Sequence, residues 1–402
     1  MPPCRAGVFV FEEISLIDQA PAHGVIETRL RRAYGFDEVA LVPGAVTADP
    51  AEVDLAVELG GFRLEIPFLA AAMDAVADAD FAVRMSRHGG LAVVNLEGLY
   101  TRYEDASSII ERVAAAGSVQ AAAHILAAAY EQPVRDELII ALITRMKAQG
   151  AIAAVATTPA SAWHHAEVAA QAGADLLLVQ SQVSSARHLS TSTRVLSLAD
   201  LTGGLQLPVL VGNTVSGEAA YQLMHQGAAG IFVGVGPGAA CTTREVLGIG
   251  VPQVSATLEV AAARDRYERE TGRYVPVVTD GGMKTGGDIA KAIASGADAV
   301  MLGSPFAGAI EAPGRGFNWG MAAPSPTLPR GTRIRIGERL PLEQILFGPS
   351  ETTHGTQNLV GALRQSMAAL GVRTVREMHS VEMVIAPSIA TEGKSWQLAG
   401  RE

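Results

Sequence analysis

The chain has 402 residues, a formal charge of −10, 49% hydrophobic residues and 18% charged ones. No stretch reaches the ~18 uninterrupted apolar residues of a membrane span, and basic clusters such as Arg29, Arg31 and Arg32 are too short to form a footprint for nucleic acid. The two cysteines, Cys4 and Cys241, lie too far apart for a disulfide framework, which points to a reducing cytoplasm.

Residues 1–30 read as an N-terminal extension. Its apolar patch Val8–Phe11 runs straight into two acidic residues with no small-residue cleavage site, so it does not read as a signal peptide, and an ordered arm, a disordered tail or a mis-assigned start all fit it. From residue 31 onward, short apolar β-branched runs alternate with alanine-rich helical stretches at the spacing of βα units, which predicts a parallel sheet. The expected strands are Ile66–Asp74, Leu91–Leu96, Ala153–Thr158, Ala174–Gln180, Val209–Asn213, Gly230–Gly236, Val275–Gly282 and Ala299–Ser304. Phrases such as Ala169–Asp175, Met224–Gly230 and Ile293–Asp298 read as a helix ending on a left-handed glycine, with the next strand following at once.

Two intervals exceed a simple crossover. Residues 97–150, after the second strand, carry apolar anchors at Ile109-Ile110, Val113, Ile125-Leu126 and Leu138–Met146, and predict extra helices at the sheet's edge. Residues 308–337, after the eighth, are rich in Pro, Gly and Arg and suit a short flap over an active face. Two ordinary domains would also fit the length, but eight repeated units favour one TIM (β/α)8 barrel over residues 31–386, an α/β fold of ~250 residues with additions. Residues 387–402 form a tail, read with the helix before it as a surface or subunit-contact segment.

The chemistry concentrates after the sixth strand, in Gly234-Val235-Gly236-Pro237-Gly238-Ala239-Ala240-Cys241-Thr242-Thr243-Arg244. A cysteine alone reads as a small buried apolar residue. Here glycines precede it and Thr242-Thr243-Arg244 follow, at a strand's carboxyl end where barrels keep their active sites, and the better reading is a nucleophile on a loop. The loops after strands seven and eight often hold a phosphate in such barrels. They are Asp280-Gly281-Gly282 and Gly303-Ser304, whose glycines bare N–H groups while Ser304 adds a hydroxyl. A carboxylate such as Asp280 can accept both hydroxyls of a ribose diol. Asp-Gly-Gly is also an ordinary turn, yet beside Cys241 the set points to a nucleoside monophosphate pocket. With a net negative chain, backbone amides must hold the anion locally.

These phrases, with YGFDEVALVPG at 34–44, AAMDAV at 71–76, VGNTV at 211–215, GVGPGAACTTREVLGIGVPQ at 234–253, GDIAKAI at 287–293 and GADAVMLGS at 296–304, carry a resemblance to the IMP dehydrogenase/GMP reductase family from about Arg32 to Pro387. The chain looks most like its short bacterial, IMP-dehydrogenase-related branch without CBS modules. The resemblance implies that Cys241 attacks purine C2 to form a thioimidate, with Thr243 near the attacking or departing group. It implies that carbonyls of Gly236, Gly238 and Cys241 hold K+. Asp280 would take the ribose, with Gly281 beside it; Gly282, Gly303 and Ser304 would take the phosphate. Met73 would stack on the base, and the Trp319-Gly320-Met321 backbone would read its carbonyl edge. Ser181 and Asn213, with Gly234 and Gly236, would meet the nicotinamide of the cofactor.

The chain departs from the family at several points. Ala71 and Ala239 stand where phosphate-binding serines are usual, Gln180 replaces a cofactor-contacting aspartate, and Phe232 a cofactor-side arginine. Family dehydrogenases activate water with an Arg-Tyr pair on a flap, yet no tyrosine follows Tyr274. Arg330 aligns with an acidic or amide residue that pairs with the threonine and is carried as a catalytic candidate. With it, Arg315 and Arg333 could orient water or form a solvated or subunit-contact surface, and Glu311 or Glu338 could supply a displaced carboxylate. The leading expectation is an IMP dehydrogenase making XMP with NAD. A GMP reductase using NADPH, and a non-catalytic purine-nucleotide-binding protein, stand as alternatives. Family analogy adds a homotetramer or octamer.

Overall fold

The computed structural model describes residues 31–188, 196–321, 332–337 and 339–387. Eight parallel strands close into a barrel, Phe68–Ala70, Leu91–Asn95, Ala154–Thr157, Leu176–Gln180, Val209–Thr214, Gly230–Val233, Val277–Asp280 and Ala299–Leu302, with the eighth pairing back onto the first. We number them one to eight. Side chains alternate between two layers, as a pleated strand requires. Leu69, Val278, Ala299 and Met301 fill the interior, while Phe68, Ala70, Val277 and Val300 meet the surrounding helices.

Six of the eight strands stop short of the expected carboxyl end, while strand four ends at Gln180 as expected and strand five runs one residue further, to Thr214. The first stops at Ala70 because the chain turns there, with Met73 N–H donating to the Ala71 carbonyl at 2.7 Å. The sixth stops at Val233 because Gly234 takes φ +146°. A hairpin of Val57–Leu59 and Phe62–Leu64 places Leu59 and Leu64 in the inner layer. It closes the end away from those carboxyl-end loops, since Leu59 lies against Gly230, the first residue of strand six.

The interval after strand two holds α2 (Ala106–Ala115), α3 (Val119–Tyr130) and α4 (Asp136–Ala148), following α1 (Ala79–Arg87). Asp105 and Ser118 cap α2 and α3 by accepting from Ser108 and Ala121 N–H. Their apolar faces make a separate small core, with Ile109, Ile110, Val113 and Leu126 packed on Trp319. Trp319 belongs to Phe317–Trp319, which pairs antiparallel with Arg333–Arg335. The region after strand eight thus begins and ends as a hairpin seated on the insertion. The chain's last described strand, Met383–Ile385, pairs antiparallel with Val39–Leu41. That pairing was not legible in the tail's sequence. Residues 1–30, 189–195, 322–331 with Arg330, Glu338, and the tail beyond Pro387 lie outside the described residues.

Candidate active site

Strand six delivers its loop through two strained glycines. A Cβ on Gly234 would lie 2.5 Å from the Asp280 carbonyl oxygen, and Gly236 takes φ +72°, so only glycine is comfortable at either position. Two side chains, half-buried Arg244 and buried Gln253, then staple the loop. Arg244 reaches back to donate from Nε to the Val235 carbonyl at 3.1 Å and from Nη2 to that of Val251 at 2.8 Å. Gln253 donates from Nε2 to the carbonyls of Val233 at 3.2 Å and Asp280 at 3.0 Å. Cys241 sits half-buried on this frame, its N–H donating to the Gly238 carbonyl at 3.0 Å and its Sγ 3.2 Å from Thr243 Oγ1. Gln182 donates to the same hydroxyl at 3.4 Å. The thiol therefore faces a hydroxyl that is held by an amide rather than by a carboxylate.

Asp280 ends strand seven. Its Oδ2 accepts from Asn213 Nδ2 at 2.7 Å and Gln180 Nε2 at 3.0 Å, and Gln180 also donates to Asn213 Oδ1 at 2.7 Å. The register of strands five and six slips between Gly212 and Thr214, the kind of irregularity that re-aims a side chain such as Asn213. Burial pushes the Asp280 carboxyl up to about 6, and the two amide donors only partly oppose it. Gly281 and Gly282 follow at φ +80° and +83°. Across the mouth, Asn318 Nδ2 donates to Ser304 Oγ at 3.4 Å, and a Cβ on Gly303 would lie 3.3 Å from Met73 Sδ. Trp319 is buried and donates from Nε1 to Tyr130 at 3.4 Å, while the Tyr130 hydroxyl donates to Asp74 Oδ2 at 2.7 Å. The α3 insertion thus fixes the backbone at Gly320 and Met321.

One cavity of about 980 Å³ gathers these groups. Met73, Asp280, Gly281, Gly282, Gly303, Ser304, Gly320 and Met321 line it, as do Ser181, Asn213, Gly234, Gly236, Gly238, Cys241 and Thr243. The candidates for water activation among the described residues, Arg315, Arg333 and Glu311, do not. Arg315 pairs with Glu111 at 2.5 Å, and Arg333 donates to the carbonyls of Val113 and Ala116 at the end of α2 while covering the Phe317 ring. Glu311 accepts from the N–H of Leu342 at 2.9 Å. Arg333 satisfies carbonyls left open at a helix's end and Glu311 an N–H left open at another helix's start, while Arg315 is held in an exposed ion pair. Phe232 is fully buried in the barrel's inner layer and does not line the cavity.

Sequence reasoning missed Glu97, Arg102, Gln182 and Lys284, which also line the cavity. Their shared signal was position, two to seven residues beyond a strand's end.

A sequence profile of the IMP dehydrogenase / GMP reductase domain matches residues 33–321. The chain belongs to that family. It is 40% identical over 363 residues to an uncharacterized oxidoreductase of Mycolicibacterium smegmatis, covering 88% of this chain and 97% of the relative. Against an inosine-5′-monophosphate dehydrogenase of Borreliella burgdorferi it is 31% identical, covering 70% and 72% of the two. A solved IMP dehydrogenase/GMP reductase-like protein of Corynebacterium glutamicum superposes with a TM-score of 0.84 at 36% identity, covering 89% and 95% of the two chains. The chain is thus an oxidoreductase-family barrel, and no helix among its described residues is long and apolar enough to cross a membrane.

Proposed function

We infer that this chain oxidises IMP to XMP with NAD through a covalent adduct on Cys241. The observation that carries this reading is the thiol 3.2 Å from the Thr243 hydroxyl in the cavity that also holds Asp280 and the glycine loops. Cys241 sulfur adds to C2 of the purine, its proton passing to solvent, and the C2 hydrogen leaves as hydride, giving a planar thioimidate. Water then adds to C2, the carbon–sulfur bond breaks, and XMP leaves. Bound nicotinamide supplies the hydride acceptor. Ser181, Asn213 and Gly234 present neutral polar groups for it, and Asp280 offers a ribose hydroxyl its Oδ1, which accepts nothing from the described residues. The phosphate would rest on N–H groups of Gly282 and Gly303 and on Ser304. Carbonyl oxygens at Gly236, Gly238 and Cys241 are the donor type that suits K+; the Gly238 oxygen already accepts one N–H and keeps a second lone pair for an ion.

One observation favours the reverse chemistry, GMP reduced to IMP with NADPH. That reaction needs no water activator, and Arg315, Arg333 and Glu311 are bonded away from the cavity. Absorbance at 340 nm separates the two readings, with K+, using IMP plus NAD+ and GMP plus NADPH in parallel. A rise in the first supports oxidation and a fall in the second supports reduction. No change in either, with Cys241 alkylation unaffected by both nucleotides, defeats both readings. A homotetramer in the cytoplasm fits the family and is checked by light scattering and fractionation.

A further inference from the structure

Five ionisable side chains line the cavity among the described residues: Glu97, Arg102, Cys241, Asp280 and Lys284. Cys241 is the nucleophile, Asp280 is tied to Asn213 and Gln180, and Arg102 and Lys284 are cations. Glu97 is the remaining acid. It stands just past strand two, which the closed order of the barrel puts directly opposite strand six and its Cys241 loop.

The surroundings of Glu97 are built. Three donors converge on Oε1: the Thr158 N–H at 2.8 Å, the Thr158 hydroxyl at 2.8 Å and the Thr157 hydroxyl at 3.0 Å. The Thr157 hydroxyl lies in turn 2.7 Å from Nδ1 of buried His165. Since Thr157 has one proton and gives it to Glu97, His165 must present N–H at Nδ1. Burial pushes the imidazole's pKa down, which favours the neutral ring. Oε1 is thereby saturated, while Oε2 accepts nothing from the described residues, and the side chain is 22% exposed. A carboxylate with one oxygen locked and the other open to a reaction cavity is a positioned proton acceptor.

We propose that Glu97 handles the proton in the exchange half of the reaction at C2, which the cysteine loop itself does not provide for. This rests on the covalent reading above. In the oxidative direction, Oε2 takes a proton as water oxygen bonds to C2 of the thioimidate. The adduct then collapses, the carbon–sulfur bond breaks, the C2 carbonyl of XMP forms, and Glu97 returns its proton to the sulfur or to solvent. In the reductive direction, Cys241 sulfur bonds to C2 of GMP and the protonated carboxyl gives its proton to the exocyclic amine. Ammonia leaves, and the thiol's proton recharges Glu97. The hydride half, between IMP and thioimidate, does not use the carboxylate in either direction.

The test is a rapid-quench comparison of wild type with Glu97→Gln, whose amide oxygen can still accept the three Oε1 bonds. With IMP and NAD+, the variant should give one NADH per site within about threefold of the wild-type rate, leaving a Cys241 adduct visible by mass spectrometry. Steady-state turnover, in whichever direction wild type runs, should fall by about 10²–10⁴-fold. In Glu97→Ala, formate should restore part of the exchange rate. Unchanged turnover in Glu97→Gln overturns the proposal. So does loss of the NADH burst with intact IMP protection of Cys241, which would make Glu97 a cofactor-binding group. If wild type forms no adduct and its cysteine is not protected by nucleotide, the covalent reading itself fails and takes this one with it.

Discussion

The two halves of the cavity mouth are built from different materials. The side formed by strands six to eight is mostly backbone: strained glycines at 234, 236, 281 and 282, carbonyls stapled by Arg244 and Gln253, and one carboxylate, Asp280. The side formed by strands two to four is a side-chain network in which Glu97, Thr157, Thr158 and His165 hold one another and Gln182 holds Thr243. Backbone recognition suits a phosphate and a ribose, which differ little between substrates. Side-chain networks decide proton movements and direction, so the second half is where relatives with one shared pocket can differ in reaction.

The largest expected break in this comparison is Cys241→Ala, which removes the nucleophile proposed for the first half. Turnover should fall by about 10³-fold or more, while nucleotide binding followed by calorimetry stays within about threefold. Retained turnover would refute the covalent mechanism. Next comes Asp280→Ala, expected to weaken nucleotide binding by about 1.5–3 kcal/mol, or roughly 10- to 150-fold. The loss should appear in KM for the nucleotide and not in KM for the dinucleotide.

Asp280 also predicts a pH dependence whose sign can be worked out. Its carboxyl is raised from an ordinary 3.8 to about 6 by burial, so in the free protein the folded state holds the proton longer than the unfolded chain. That contribution to stability is complete below about pH 4 and is lost as pH rises through about 6. A diol donates to the ionised form, so nucleotide affinity should rise over the same window, and Asp280→Asn should flatten it. Titrations from pH 5 to 7.5 check both directions. Gly234→Ala tests the backbone half through stability. At φ +146°, with the Asp280 carbonyl 2.5 Å from the new Cβ, it should cost about 1–3 kcal/mol in urea unfolding, with activity falling in step because the Cys241 loop shifts.

The backbone half was the part legible in the sequence. Glycines at special φ and a cysteine among them are local signals, and eight apolar runs fixed the barrel with ends only a few residues off. The side-chain half was not legible, because its bonds join residues far apart: Glu97 to Thr157 and Thr158 across 60 and 61 positions, Gln182 to Thr243 across 61, Arg333 to Val113 across 220. Nothing near Glu97 in the chain says that a threonine pair will face it. The same distance explains why the flap arginines looked free to orient water. Their partners lie on an insertion about 200 residues earlier.

Arg333→Met is the smallest expected effect and the sharpest check on that correction. Its guanidinium donates to the carbonyls of Val113 and Ala116 at the end of α2 and covers Phe317, whose ring it approaches to 4.4 Å. A cation at a helix's carbonyl end contributes about 0.3–1 kcal/mol there, and the methionine keeps the apolar contact with the ring. Stability should therefore drop by about 1 kcal/mol or less, and kcat should stay within about twofold because the side chain does not reach the cavity. A kcat loss of 10²-fold with unchanged stability would return Arg333 to the role of water-orienting group, and would mean that the hairpin leaves its seat on α2 during turnover.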